Sequence, residues 1–311
     1  MSEGISYSVP ARIGLLGNPS DGYFGQCISL PVWNWEACVT LTPAEEVELP
    51  EDEGLRRIMD ATFQVFEQRF ECPVGGFRAE VSTTIPRQVG LAGSSAIEMA
   101  FMRCLMEHNG ITTDSLDPRE LAELVQSVET DILGMVAGLQ DRLPQAYGEM
   151  MHMDFRRDLM EDRGYGDYTS LDSSLLPALW LANAPSGDDS GAVHSDIARR
   201  WEEEDSEMVA IIAELARGAE LGMLALESGE HAFLSMLIDA NFDLRTELFG
   251  AEALGETYSM VELARGLGSC AKQSGSGGAI FGIVPSDEFD SLAAPAFAEH
   301  DWSYHRLEVT P

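Results

Sequence analysis

Pro86-Arg87-Gln88-Val89-Gly90-Leu91-Ala92-Gly93-Ser94-Ser95-Ala96 separates a stretch of strand character from one of helical character, and the reading of that junction decides the fold. Phe77 to Ile85 alternates like a strand. The residues after Ser94-Ser95 read as a helix running through Met102 to about Glu107, with the serines placed to cap it. The small residues let the backbone come close to a ligand, and the helix that follows offers unpaired N–H groups and the positive end of its dipole. A phosphate suits such a turn, although glycine-rich strand-to-helix turns are common. A second turn, Ala271-Lys272-Gln273-Ser274-Gly275-Ser276-Gly277-Gly278-Ala279, leads into the strand Ala279 to Val284 and reads equally well as a β-turn cluster. Neither turn follows the P-loop pattern or the dinucleotide glycine fingerprint, so a nucleotide site here belongs to another class.

Outward from the first turn, strands and helices mix in both halves. Ser6 to Leu16 predicts a strand that breaks at the turn formers Gly17-Asn18-Pro19-Ser20-Asp21-Gly22. Gln26 to Val39 continues as strand, the acidic stretch Pro43 to Gly54 as loop, and Leu55 to Phe70 as helix. Asp117-Pro118 is a strong helix start, and Leu121, Leu124, Val125, Val128 and Ile132 keep helical spacing after it. Tyr147 to Phe155 predicts a strand, Arg156 to Ser174 a linker, Ala178 to Asn183 a strand, and Ser195 to Gly268 several amphipathic helices. The expectation is an α/β or α+β protein of two domains, divided at 165/166.

The 311 residues can bury a sizeable core, and 45% of them are hydrophobic, as in ordinary globular proteins. No run approaches the roughly 18 apolar residues of a membrane span, and Met1 to Pro10 has no signal-peptide character. The five cysteines share no metal-type spacing and read as reduced cytoplasmic thiols. Fifty-three acidic residues against 19 basic ones give a formal charge of −34, which repels nucleic acid and anionic membranes. Lys272 is the one lysine; the other basic residues are arginines. This acidic, lysine-poor composition is of the halophilic type, in which concentrated salt screens self-repulsion.

Three ordered motifs resemble those of the GHMP kinases: Pro10-Ala11-Arg12-Ile13-Gly14-Leu15-Leu16-Gly17-Asn18, the segment ending Gly93-Ser94-Ser95-Ala96, and Gly275-Ser276-Gly277-Gly278. Within that superfamily the chain is most similar to glucuronokinases. That likeness is carried by Gly14 to Asp21, Ile85-Pro86-Arg87-Gln88, Gly138-Leu139-Gln140-Asp141-Arg142, Asp189-Ser190-Gly191 with Val193-His194-Ser195, and Asn241-Phe242-Asp243-Leu244-Arg245. The resemblance implies a ribosomal-protein-type N-terminal domain, a ferredoxin-like C-terminal domain, and ATP and Mg²⁺ as cofactors. It also implies a small anionic sugar or sugar phosphate as substrate, and a monomer or homodimer.

The same resemblance assigns roles. Asp141 is the general base and Arg12 the guanidinium that keeps it ionised. Gly90, Leu91, Ala92, Gly93, Ser94, Ser95 and Ala96, with Lys272, Gly275, Ser276 and Gly277, hold the nucleotide. Glu129, twelve residues before Asp141, has the family spacing for a Mg²⁺ ligand. Helical periodicity alone does not separate it from Asp131. Ser95, or else Ser94, is the second ligand. Asn18 and Asp21 anchor the sugar, and Arg87, Arg142 and Arg245 are the candidates to meet an anion. The leading reading is glucuronate phosphorylation. A sugar-phosphate kinase such as one for ribose 1-phosphate, a diphosphomevalonate-decarboxylase-like enzyme and a non-catalytic binding member are the alternatives.

Overall fold

The computed structural model describes residues 4–186, 197 and 199–310. The expected helix start at Ser195, and the segments Asp189-Ser190-Gly191 and Val193-His194-Ser195, lie outside the described residues.

By contact the chain groups into two compact units. The first holds the stretch ending at Ala11, with Trp33–Ile85 and Ala92–Gly148; the second holds Arg12–Val32, Pro86–Leu91 and the chain from Glu149 onward. Strands β1 (Ile5–Leu16) and β2 (Gln26–Pro43) each contribute a segment to both. β2 runs past the expected end at Val39 because Thr40-Leu41-Thr42 keeps the alternation, with Leu41 buried.

In the first unit, Asp52 caps α1 (Glu53–Phe70) by accepting from Leu55 N. β3 (Phe77–Thr83) then pairs antiparallel with the outer part of β2, from Pro43↔Phe77 to Ala37↔Thr83. Helix α2 (Gly93–His108) is central: Met99, Ala100, Phe101 and Met102 are all fully buried, and Phe101 meets Phe77 edge-on at 6.0 Å. The expected serine cap is absent, since Ala92, in the left-handed region at φ 59°, is the residue before the helix and no side chain caps it. α3 (Pro118–Ser127) opens with the capping box Asp117/Glu120 and then widens into a single π turn, Val128–Ile132. α4 (Arg142–Tyr147) ends at Gly148, whose φ of 70° only glycine adopts freely, so the strand expected from Tyr147 starts later.

In the second unit, β4 (Met150–Asp154) pairs with the start of β2, Gln26↔Asp154 to Ser29↔Met151. The expected linker is structured: α5 (Arg157–Arg163) is followed by β5 (Asp167–Leu171), which pairs antiparallel with β4. An edge strand without a fully buried side chain leaves no apolar alternation for sequence reading to find. β6 (Leu179–Asn183) precedes the helices α6 (Ser206–Ser228), α7 (His231–Phe249), α8 (Ala251–Leu254) and α9 (Glu256–Gly266). Then follow β7 (Lys272–Gln273), β8 (Ala279–Ile283), α10 (Phe289–Ala298) and β9 (Ser303–Arg306). The ladders run β1-β2-β4-β5, with β3 on β2, and β7-β8-β6-β9, antiparallel throughout the second set. Trp180 on β6 anchors a core with Phe289, Phe297 and Trp302, and its indole N–H donates to Ser269 Oγ at 2.8 Å. Among the described residues no helix is long and apolar enough to cross a membrane.

Candidate active site

The second unit draws parts of all three motifs together. Gly14 N donates to Ser274 O at 2.7 Å and Arg12 N to Leu91 O at 3.1 Å. The Arg12 guanidinium reaches Ser274 O at 3.0 Å and Gly90 O at 3.4 Å. Gly90 has φ +76°, and a Cβ on Gly275 would fall 2.3 Å from Gly90 O. Gly275 therefore makes room for the backbone of Gly90, and Gly90 for the backbone of Ser276 and Gly277. Gly277, at φ +144°, is glycine for its conformation, since the nearest atom to a Cβ there is 3.8 Å away.

Lys272 has no exposed surface, and its ammonium donates to Gly14 O (2.7 Å), Asn18 Oδ1 (2.7 Å) and Gln273 O (2.9 Å). Burial, and then the charges of Arg245 and Arg12, push it well below the ordinary lysine range. The three acceptors, one for each N–H, work in the opposite sense. A planar guanidinium does not fit so compact a cup, which gives a physical reason for the single lysine. Arg245 is 3% exposed and donates to Gln273 Oε1, Asn18 O and Gly275 O. Burial brings it down to about 10, against the opposing charge of Asp21. Asp21 is half-buried in the turn Ser20–Tyr23. Gly17 N donates to Asn241 Oδ1 at 2.8 Å. Arg87 is exposed and enters no hydrogen bond or ion pair among the described residues.

The first unit holds Glu98, Glu129, Asp131 and Asp141. Ser94 Oγ donates to Glu129 Oε1 at 3.0 Å, whereas Ser95 is fully buried and donates to Ala92 O at 3.1 Å. It is Ser94, not Ser95, that faces Glu129. The π turn carries Glu129 inward to 8% exposure, and Asp131 points outward with Thr130 Oγ1 on its carboxylate. Arg142, 2% exposed, lies 2.5 Å from Glu129 Oε2 and 3.7 Å from Glu98 Oε2, and it donates to Gly138 O at 3.0 Å. Arg142 and Arg245, both expected to meet a substrate anion, thus spend donors inside the protein. Glu98 is fully buried, and burial, then the neighbouring Glu129 charge, raises it well above the ordinary carboxylate range. Asp141 stands half-buried at the head of α4.

Two residues here were not singled out in the sequence. Glu98 interrupts the otherwise small and apolar run Ala96 to Met102, an acid where core is expected. Gln145, on α4, donates to Pro10 O and Ala92 O at 3.1 Å each and so holds the residue ahead of α2. The Ser94 hydroxyl and the Glu129 carboxylate are oxygen donors of the kind Mg²⁺ takes, and a hydrogen bond holds Ser94 Oγ and Glu129 Oε1 3.0 Å apart.

Residues 57–149 match the family model for the GHMP kinases N terminal domain. Glucuronokinase 1 of Arabidopsis thaliana is 38% identical over 304 residues, covering 88% of this chain and 83% of the relative. Probable glucuronokinase 2 of the same plant is 39% identical over 307 residues, with the same shares. Among solved structures, galactokinase of Lactococcus lactis, complexed with galactose, superposes with a TM-score of 0.79. It shares 16% identity and covers 99% of this chain and 94% of its own; at that identity the likeness concerns the fold. The chain belongs to the GHMP kinase superfamily, in its glucuronokinase-like branch, and has the two-domain fold of that superfamily.

Proposed function

We propose that the chain is a glucuronokinase, transferring the γ-phosphoryl group of ATP to the anomeric hydroxyl of glucuronate to give glucuronate 1-phosphate. The observation that carries this reading is the 38–39% identity to glucuronokinases across 88% of the chain. The sugar-phosphate kinase, decarboxylase and non-catalytic readings have no comparable support.

The residues divide the work as follows. Asp141 accepts the proton of the attacking hydroxyl, worth on the order of 10²–10⁴ in rate. Arg12 supplies a fixed positive charge that favours ionised groups near it. The turn Gly90 to Ala96 presents backbone N–H groups to the ATP phosphates, helped by the start of α2, which no side chain caps. Glu129 and Ser94 are the residues that would hold Mg²⁺. Held there, it would supply positive charge against that of the ATP phosphates. The formal −34 supports a salt-rich cytoplasm as the setting.

A panel of glucuronate, glucose, galactose and ribose 1-phosphate, assayed for ATP consumption in molar KCl with product identification, tests the reading. Glucuronate should be used best, with phosphate on C1. Preferential turnover of ribose 1-phosphate, or release of carbon dioxide, would replace the assignment.

A further inference from the structure

Arg142 directly follows the proposed base Asp141, yet its side chain turns into the protein. One guanidinium nitrogen lies 2.5 Å from Glu129 Oε2, and the other donates to Gly138 O at 3.0 Å. The same residue thus ties the π turn that carries Glu129 to the Gly138–Asp141 segment and to the first residue of α4. Glu98 Oε2 is 3.7 Å from the nitrogen that meets Glu129, so two carboxylates share one cation at a place where all three side chains are at least nine-tenths buried. Removing a guanidinium from such a place leaves Glu129 without its fixed partner, and a buried carboxylate so released must move or be neutralised. The division of Glu129 is also informative. Oε2 is taken by Arg142 while Oε1 meets the exposed Ser94, so the clamp holds one oxygen and leaves the other turned toward the start of α2.

We propose that Arg142 is a positioning residue for the phosphoryl-transfer reaction. By gripping Glu129 Oε2 and Gly138 O together, it fixes Glu129 Oε1 beside Ser94 and sets the segment that leads to Asp141. The proposal rests on the reading of Glu129 as the Mg²⁺-facing carboxylate. It differs from the sequence expectation, in which Arg142 meets the substrate anion.

A double-mutant cycle separates these possibilities. Arg142→Gln, Arg142→Lys, Glu129→Gln and the double variant Glu129→Gln/Arg142→Gln would be compared with the parent. Mn²⁺ binding to each protein with a non-hydrolysable ATP analogue would be followed by electron paramagnetic resonance, alongside kcat and the KM for glucuronate. The double variant carries one buried charge fewer on each side, which guards against a variant that merely fails to fold; circular dichroism checks each.

Arg142→Gln should weaken metal binding and raise the half-saturating Mg²⁺ concentration by about ten-fold or more, with KM for glucuronate within about two-fold. Arg142→Lys should recover part of the loss. Adding Arg142→Gln to Glu129→Gln should change metal binding little further. If Arg142→Gln instead raised KM for glucuronate about ten-fold and left metal binding alone, Arg142 would be a substrate ligand and the proposal would fall. Strictly additive losses in the cycle would also overturn it. Parent protein whose nucleotide binding ignored Mg²⁺ and Mn²⁺ would sink the metal reading and the proposal together, whereas a metal-dependent parent with an unresponsive Arg142→Gln sinks the proposal alone.

Discussion

Gly90 and Gly275 meet through their backbones, so closely that a Cβ on Gly275 would fall 2.3 Å from Gly90 O. The first glycine-rich turn reads from sequence as room for a ligand and the second is given to the nucleotide by the family resemblance, yet at these two positions the room is filled by the protein. Gly275→Ala must push apart main chain, and overpacking of this kind costs about 1–3 kcal/mol. Gly93→Ala should behave differently. Its Cβ would meet only the Ile85 side chain at 3.5 Å, and alanine in a helix is favoured over glycine by up to about 1 kcal/mol. Denaturant midpoints should therefore fall for Gly275→Ala and hold or rise for Gly93→Ala. The KM for ATP should rise in Gly93→Ala if phosphate approaches that backbone.

Ser94 and Ser95 are adjacent in sequence but turn to different partners, Glu129 and Ala92 O. Ser94→Ala should raise the Mg²⁺ requirement with little change in stability, because the side chain is exposed. Ser95→Ala should cost about 1 kcal/mol for its lost buried hydrogen bond and leave the Mg²⁺ titration nearly unmoved. The reverse pattern would restore Ser95 as the metal ligand.

Asp141→Asn keeps shape and removes the base. Turnover should drop by about 10²–10⁴, roughly 3–5 kcal/mol of barrier, while ATP binding by calorimetry stays near the parent value. Activity within a few-fold at saturating substrate would show that the proton leaves by another route.

The fold was largely legible because its cues are local. Asp117-Pro118 does begin a helix, and Phe77 onward does form a strand. The candidate site's residues could be named from sequence, but their pairings could not. Glu129 and Asp131 sit at opposite edges of one apolar face in an ideal helix; the π turn, which periodicity cannot reveal, buries Glu129 and leaves Asp131 exposed. Arginines suited to an anion can equally clamp the protein's own oxygens. Only three-dimensional placement distinguishes Arg142 and Arg245, at 2% and 3% exposure, from the exposed Arg87.

His152, on β4 and 7% exposed, gives a pH signature. Its Nε2 lies 3.0 Å from Gln26 Oε1. Burial lowers its pKa below the ordinary 6.5, and the charges of Asp154 and Glu220 oppose that shift. Below pH 6.5 the unfolded chain binds a proton that the folded one refuses, so this residue removes stability as pH falls. The effect levels off once pH is below the folded-state pKa, and its slope is at most about 1.4 kcal/mol per pH unit. His152→Gln should flatten the fall in denaturant midpoint below pH 6.5. An unchanged slope would assign it to other groups.

Of the three arginines proposed to meet a substrate anion, Arg87 is the one left exposed. Arg142 is gripped by Glu129 and Gly138 O, and Arg245 by Gln273, Asn18 and Gly275, all within buried surroundings. Arg87 is exposed, enters no hydrogen bond or ion pair among the described residues, and sits three residues before Gly90 in the turn proposed to cradle phosphate. A chain of formal charge −34 repels an anionic sugar at long range, and salt near 1 M shortens that repulsion to about 3 Å while a close guanidinium–carboxylate contact survives better. Hydrogen bonds to charged groups are worth about 1.5–3 kcal/mol, so Arg87→Ala should raise KM for glucuronate roughly ten-fold or more. Any turnover of glucose, which lacks the carboxylate, should be unaffected. Arg245→Ala should chiefly lower the denaturant midpoint, because three buried acceptors lose their donors. Measuring KM for glucuronate and glucose with parent, Arg87→Ala and Arg87→Lys decides the matter. An Arg87→Ala enzyme that keeps the parent's preference for glucuronate over glucose would remove Arg87 as the carboxylate's partner.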